Sequence, residues 1–219
     1  MARKNPEREF AILGLGRFGG SLARRLEELG GTVLGIESNP QRAKDIADEI
    51  TEVLLLDASD PDALAQTGVS AFHTVVVAIG GDFETSALIT SSLKEMGVRR
   101  VICEANSRRH RDILLRIGAD RVVLPREESG TELADELSTP GMLYRLPLSA
   151  DYSLIEIQTP AGIAGKQIRA CEQYGVTVLL ILRGGEMILS PDHELRLQSG
   201  DVLVVVGEKQ RLSVFSTLT

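Results

Sequence analysis

The 219-residue sequence predicts an α/β fold, a doubly wound parallel sheet followed by a small α+β domain. Three observations carry this. Short apolar runs alternate with helical patterns six times between Phe10 and Pro125. The first run enters Gly14-Leu15-Gly16-Arg17-Phe18-Gly19 and then a helix. Beyond about residue 138 the pattern changes to short strands and glycine turns. Strands and helices alternating over short connections imply right-handed crossovers and a parallel sheet. Uniformly apolar strand runs imply that both faces of that sheet are covered.

Taken in order, residues 10–13 form the first buried strand. The helix after the glycines carries Leu22, Leu26 and Leu29 on one face and stops at Gly30-Gly31. Residues 32–36 form the second strand, which ends in Glu37. Ser38-Asn39-Pro40 opens a helix that runs to about Ile50, with the proline in its first turn. Residues 53–56 are the third strand, ending in Asp57-Ala58-Ser59, and Asp60-Pro61 opens the next helix. Residues 75–79 are the fourth strand, ending in Gly80-Gly81. Asp82 or Glu84 then begins a long helix to Met96. Residues 100–103 are the fifth strand, ending in Glu104. Ser107 caps a helix to Ile117 that Gly118 stops. Residues 121–124 are the sixth strand, closed by Pro125.

The glycines have separate physical roles. Gly14 permits a tight turn, Gly16 lets backbone approach a phosphate, and Gly19 lets helix and strand pack closely. The helix behind them aims free N–H groups and the positive end of its dipole at an anion. A Gly-x-Gly-x-x-Gly alone is weak evidence. Here it sits between a strand and a helix, and Glu37 ends the next strand, where a ribose-binding carboxylate belongs. The Rossmann-like reading follows, with an adenine nucleotide or dinucleotide as ligand. Such ligands bind outside the C-terminal ends of the strands. The candidate site is therefore Gly14–Gly19, Glu37, Ser38, Asp57, Ala58, Ser59, Ala78, Ile79, Gly80 and Glu104, with Asp57 and Ser59 as candidates for the adenine edge. Glu37 would repel a 2′-phosphate, which disfavours NADP.

Hydrophobic content of 43% and charged content of 25% are ordinary for a globular chain. A net charge of −7 argues against nucleic acid as a partner. Apolar runs such as residues 178–182 fall far below the ~20 residues of a membrane span. Residues 1–7 carry charges with no apolar signal region after them, so a cytosolic location is expected. Cys103 and Cys171 lie far apart in apolar patterns and read as reduced core residues. His73, His110 and His193 have no ligand spacing and read as surface or turn residues.

In the second domain, residues 132–137 read as a helix, broken by Ser138-Thr139-Pro140-Gly141. Residues 154–157 alternate as a strand, and residues 165–174 form a short helix with Ile168 and Cys171 inward. Residues 176–182 are a buried strand, and Gly184-Gly185 turns it into residues 187–189. Ser199-Gly200-Asp201 turns the chain into residues 202–206, and a last helix starts near Lys209. The expected division is 1–138 and 139–219, with no internal repeat. A dehydrogenase would need a proton-transferring His, Lys or Tyr in such a second domain. The domain has no Tyr-x-x-x-Lys, no His-Asp pair and no metal cluster in its sequence. That favours a sensor over an NAD(H)-dependent oxidoreductase, since fold alone decides neither.

Residues 10–21, residues 75–80, the segment Ile117-Gly118-Ala119-Asp120-Arg121 through Pro125, and Ser199-Gly200-Asp201 with residues 202–207 together resemble the KtrA/TrkA-type regulatory subunits of bacterial potassium uptake systems. The likeness covers nearly the whole chain in order and spacing. It implies an RCK N-terminal domain, which regulates potassium conductance, and its smaller RCK C-terminal companion. It also implies a cytoplasmic homo-oligomer, dimers assembling into an octameric ring, docked on a membrane potassium channel-like subunit at the inner face of the membrane. ATP, ADP or NAD(H) would bind the first domain, and different nucleotides would favour different ring shapes. Arg17 would contact terminal phosphates, of its own or a neighbouring subunit's nucleotide. In some members the second domain binds cyclic di-AMP at a dimer interface, which directs attention to Ile168, Arg169 and Ala170. A regulatory subunit of another transporter or antiporter carries the same domain pair and stays open as an alternative.

Two departures accompany the resemblance. Some members carry Lys where this chain has Glu104, and a phosphate- and cation-linked Glu where it has Arg126. The reversal keeps opposite charges at two strand ends and implies a retained contact. Either Glu127 or Glu128 then supplies the missing carboxylate for a magnesium or calcium ion, or the ligand is ADP or NAD(H) without a metal.

Overall fold

The computed structural model describes residues 8–139 and 141–218. Residues 1–7 and Pro140, on which the leader and helix-break expectations partly fall, lie outside them. The chain divides into two compact units between Glu127 and Glu128. Among the described residues no helix is long and apolar enough to cross a membrane.

The first unit is a six-stranded parallel sheet in the order β3-β2-β1-β4-β5-β6. Its strands are β1 (Glu9–Leu13), β2 (Thr32–Glu37), β3 (Glu52–Leu55), β4 (Thr74–Val77), β5 (Arg100–Glu104) and β6 (Arg121–Val123). Chain order reverses between β1 and β4, so their C-terminal ends flank the crevice where doubly wound sheets take ligands. Helices α1 (Arg17–Glu28), α2 (Pro40–Ile46), α3 (Pro61–Gln66), α4 (Phe83–Glu95) and α5 (Arg108–Ile117) link the strands. Separate apolar clusters, one around Leu13, Val75 and Leu93 and one around Ile12, Ala23 and Val76, cover the two faces. Both faces being covered is why the inner strands β1, β2 and β4 read as unbroken apolar runs.

Local sequence sets the helix starts. Asn39, Asp60, Asp82 and Ser107 each cap the helix that follows by accepting backbone N–H groups. Pro40 and Pro61 occupy the first turns, where no N–H partner is lost. Helix α2 ends at Ile46 rather than near Ile50, and Ile50 instead packs under α1 and β2. Helix α6 (Pro125–Ser138) begins seven residues earlier than its apolar pattern suggested. Pro125 starts it as an N-terminal proline, and its face buries nothing that a periodicity could report.

The second unit is a five-stranded antiparallel sheet in the order β10-β9-β11-β8-β7. Its strands are β7 (Met142–Pro147), β8 (Tyr152–Gln158), β9 (Val176–Arg183), β10 (Glu186–Leu189) and β11 (Val202–Glu208). Helix α7 (Lys209–Ser216) and 3-10 turns cover one face, with Phe215, Ile157 and Leu203 fully buried. Strand β8 alternates buried and half-exposed residues, the pattern of a one-sided sheet. Gly184 and Gly185 both take positive φ, 59° and 87°, in the β9–β10 hairpin. Strand β7 was not expected; it is an edge strand that tolerates Pro147, and its apolar residues do not alternate. The expected helix at 165–174 is a 3-10 helix, Ile168–Tyr174, with Ile168 and Cys171 inward as the pattern required. Cys103 and Cys171 are both buried free thiols. Burial pushes the Cys171 thiol up to about 11.

Candidate functional site

The glycine turn is built by close approach. Gly14 has φ +92° and donates its N–H to the Ile36 carbonyl at 2.8 Å. A Cβ there would lie 2.8 Å from the Ala78 carbonyl oxygen. A Cβ on Gly19 would overlap the Gly14 carbonyl oxygen and sit 2.9 Å from the Ala78 Cβ. These two glycines are therefore required by packing, and Ala78 and Ile79 at the end of β4 are what they pack against. Gly16 differs. Its φ is an ordinary −68°, and a Cβ there would meet nothing nearer than Arg42 Nη1 at 3.9 Å. The protein gives no internal reason for glycine at 16, and the space in front of it is open.

That space faces the start of α1. Gly16 offers no capping side chain, and the first turn holds no acidic residue. The early amides of a 12-residue helix thus have no side-chain acceptor, an arrangement suited to an anion. Arg17, first in the helix, is exposed. Leu15 and Phe18 turn inward, Leu15 against Gly35 and Phe18 into the cluster under α1.

Glu37, at the end of β2, is 4% exposed. Its Oε2 accepts the Leu15 N–H at 2.7 Å and its Oε1 the Asn39 N–H at 2.8 Å. Arg42 Nη1 lies 3.6 Å from Oε2. A carboxylate offers about four lone-pair sites, so two remain for hydroxyl donors. Ser38 is exposed beside it. The Leu56 N–H donates to the Glu37 carbonyl at 3.0 Å, which brings the end of β3 alongside. There Asp57 accepts the Ser59 N–H at 2.9 Å and the Ser59 hydroxyl at 2.8 Å, and both bonds hold its carboxyl below the usual range. Ala58 is buried between them.

Gly80 and Glu104 meet across β4 and β5. A Cβ on Gly80 would lie 2.8 Å from the Glu104 carboxyl carbon, so glycine is what admits that side chain. Burial raises the Glu104 carboxyl above its ordinary value, opposed in part by the Gly80 amide and the Arg126 charge. The Arg126 charge favours the ionised form of Glu104, whose side chain lies against Gly80, and among the described residues no ion pair joins the two. Glu127 pairs with Arg108 at the start of α5, which holds its carboxyl low. Among the described residues no three His, Cys, Asp or Glu side chains group as a metal site. In the second unit Ile168 is buried in the core, while Arg169 is exposed and lies 3.7 Å from Glu194. Ala170 is half-buried and donates its N–H to the Gln167 carbonyl at 2.9 Å.

Two residues of the first unit escaped the sequence reading. Arg42 reaches from α2 to the glycine turn. Asn106 donates from its side chain to the Gly80 carbonyl. Nothing in a single sequence marks either, since both contacts join segments 26 residues apart.

Comparison with known proteins bears on the whole chain. Residues 10–125 match the TrkA-N domain and residues 153–218 the TrkA-C domain. Ktr system potassium uptake protein A of Bacillus subtilis (strain 168) is 33% identical over 211 residues, 95% of either chain. Protein C of the same system and organism is 34% identical, covering 95% of this chain and 96% of that protein. Protein A of Vibrio alginolyticus is 31% identical over 96% of this chain and 97% of its own. Among solved structures, the GsuK RCK domain superposes with a TM-score of 0.65 at 21% identity, over 96% of this chain and 47% of that one. The GsuK channel gives 0.66 at 19% identity, over 96% and 39%. The chain thus spans less than half of those two structures, and the likeness at that identity is one of fold.

Proposed function

This chain belongs to the TrkA family, a TrkA-N domain followed by a TrkA-C domain, and from that we propose that it is the nucleotide-sensing regulatory subunit of a potassium uptake system. It is a gating subunit rather than an enzyme, cytoplasmic, and held at the membrane by a channel-like partner. The nucleotide domain takes residues 1–138 and the smaller companion residues 139–219. Copies pair and assemble into a ring, octameric in this reading.

The observation that carries the proposal is the open, uncapped glycine turn at Gly16 facing a buried Glu37 whose carboxylate still has two acceptor sites. An adenine nucleotide, ATP, ADP or NAD(H), fits that donor set. Gly16 and the first amides of α1 receive its phosphates, and Glu37 accepts from its ribose hydroxyls. The strand ends at Asp57, Ala58 and Ser59 flank the base, and Ala78, Ile79 and Gly80 line the opposite side. A terminal phosphate supplies the charge difference between ligand states. Arg17, exposed at the helix start, reads that difference through charge-assisted hydrogen bonds. A ligand shifts the ring only as far as its affinities for the two ring states differ.

Either Glu127, which pairs with Arg108, or Glu128 would supply the carboxylate for a magnesium or calcium ion. Arg169 is the exposed member of the candidate cyclic di-AMP set. Calorimetric titration of nucleotide-stripped protein with ATP, ADP, NADH and cyclic di-AMP, with and without magnesium, tests the reading beside Arg17→Ala. Tight ATP or ADP binding weakened by Arg17→Ala supports it, as does co-purification with a membrane channel subunit. Binding of NADH alone, with turnover of a small substrate, overturns it in favour of an oxidoreductase.

A further inference from the structure

One guanidinium nitrogen faces both halves of the candidate site. Arg42 Nη1 lies 3.6 Å from Glu37 Oε2, and beyond the residues next to Gly16 it is also the nearest atom, at 3.9 Å, to where a Cβ on Gly16 would stand. At 3.6 Å it pairs with Glu37 by charge and makes no close hydrogen bond. The two close donors to Glu37 are backbone amides, from Leu15 and Asn39. The Arg42 side chain is 54% exposed, so it is not wedged where it stands, whereas the Glu37 side chain is 3% exposed and fixed. The carboxylate is thus a built acceptor, and the guanidinium is a movable cation beside it.

Resting on the nucleotide-sensing reading, we propose that Arg42 is a specificity-determining phosphate contact. In the free protein it balances the buried Glu37. With nucleotide bound, it yields the Oε2 side to the ribose hydroxyls and pairs with the phosphate in front of Gly16. The covalent link between ribose and phosphate brings the two contacts within reach of the same side chain. A ribose on Glu37 directs its 5′-phosphate toward the start of α1, across the position from which Nη1 reaches both. Arginine suits the task because its planar donors meet phosphate oxygens in pairs. The site then favours nucleotides over nucleosides from two directions, Arg17 on α1 and Arg42 on α2. The ligand class it selects is an adenosine phosphate.

Adenosine, AMP and ADP titrated into nucleotide-stripped full-length wild type, Arg42→Gln and Arg42→Lys test this, with a thermal melt of each variant. The expected result is that Arg42→Gln weakens ADP and AMP by about tenfold or more. Adenosine binds the same variant as well as wild type or better, since a competitor for Glu37 is gone. Arg42→Lys recovers part of the ADP affinity. An equal loss for all three ligands means that Arg42 only props Glu37, and an unchanged ADP affinity means that it touches no phosphate; either overturns the proposal. If wild type binds ADP and this pattern is missing, the nucleotide reading stands and the role of Arg42 falls. If wild type binds none of the three, the role of Arg42 falls, and titration with ATP and NADH decides the nucleotide reading separately.

Discussion

Gly16 and Gly19 sit three residues apart in one motif, yet the structure assigns their replacement opposite consequences. A methyl group on Gly19 would overlap the Gly14 carbonyl oxygen and press on the Ala78 Cβ at 2.9 Å. The obstacle is backbone, which cannot turn aside, so α1 must lift from β1 and β4. Overpacking of this kind costs about 3 kcal/mol, roughly 10 °C in Tm for a unit of this size. A methyl group on Gly16 meets nothing nearer than the mobile end of Arg42 at 3.9 Å, and its φ of −68° suits any residue. The loss there is the poorer N-cap of alanine, about 1 kcal/mol, or roughly 3 °C. The same methyl stands where a phosphate would reach the α1 amides, so ADP affinity should fall by at least about tenfold. Differential scanning fluorimetry and calorimetric ADP titration of both variants measure the two effects. Wild-type ADP affinity in Gly16→Ala would refute the open turn as the phosphate position. A wild-type Tm in Gly19→Ala would refute the close helix–strand approach.

Other expectations follow from particular pairs. Asp201 is 1% exposed, and Arg183 grips both of its oxygens at 2.8 and 2.7 Å. Arg183→Met leaves that carboxylate buried without its cation and should cost the second unit about 3 kcal/mol in chemical denaturation. The Asp201 carboxyl is held below the usual range chiefly by that hydrogen-bonded guanidinium. Its contribution is therefore present above the unfolded carboxylate pKa and is lost as pH falls through the lowered folded value. The stability gap between wild type and Asp201→Asn should close on acidification, and a gap constant from pH 7 to pH 2 would contradict it. With its thiol near 11 and no exposure, Cys171 should resist maleimide at neutral pH until denaturant opens the unit. Rapid labelling of native protein at Cys171 would count against that burial. The Arg126 charge acts on Glu104 without an ion pair between them, so a double-mutant cycle over Glu104→Lys and Arg126→Glu should return a coupling of about 0.5 kcal/mol. A coupling indistinguishable from zero would show that the two charges do not act on each other.

What the sequence determined by itself about this protein is whatever is encoded by neighbours along the chain. All six parallel strands were legible as apolar runs, and for the inner strands β1, β2 and β4 the reason is that both faces are covered. The starts of α2 to α5 were legible because Asn39, Asp60, Asp82 and Ser107 cap their own helices within three residues. The glycine turn was legible in its motif, with Glu37 at the next strand end. Tertiary structure decided what depends on distant partners. Strand β7 exists because β8 pairs with it, and its own residues do not alternate. The 3-10 form of residues 168–174 and the early start of α6 reflect packing and a first-turn proline that periodicity does not report. The donation of the Leu15 amide to Glu37, the capture of Glu127 by Arg108 and the reach of Arg42 across Gly16 each join segments that only the folded sheet brings together. Chain-local chemistry writes the elements and their turns. The charge environment of the candidate site is a property of strand ends assembled side by side, and it comes into being only when the parallel sheet closes.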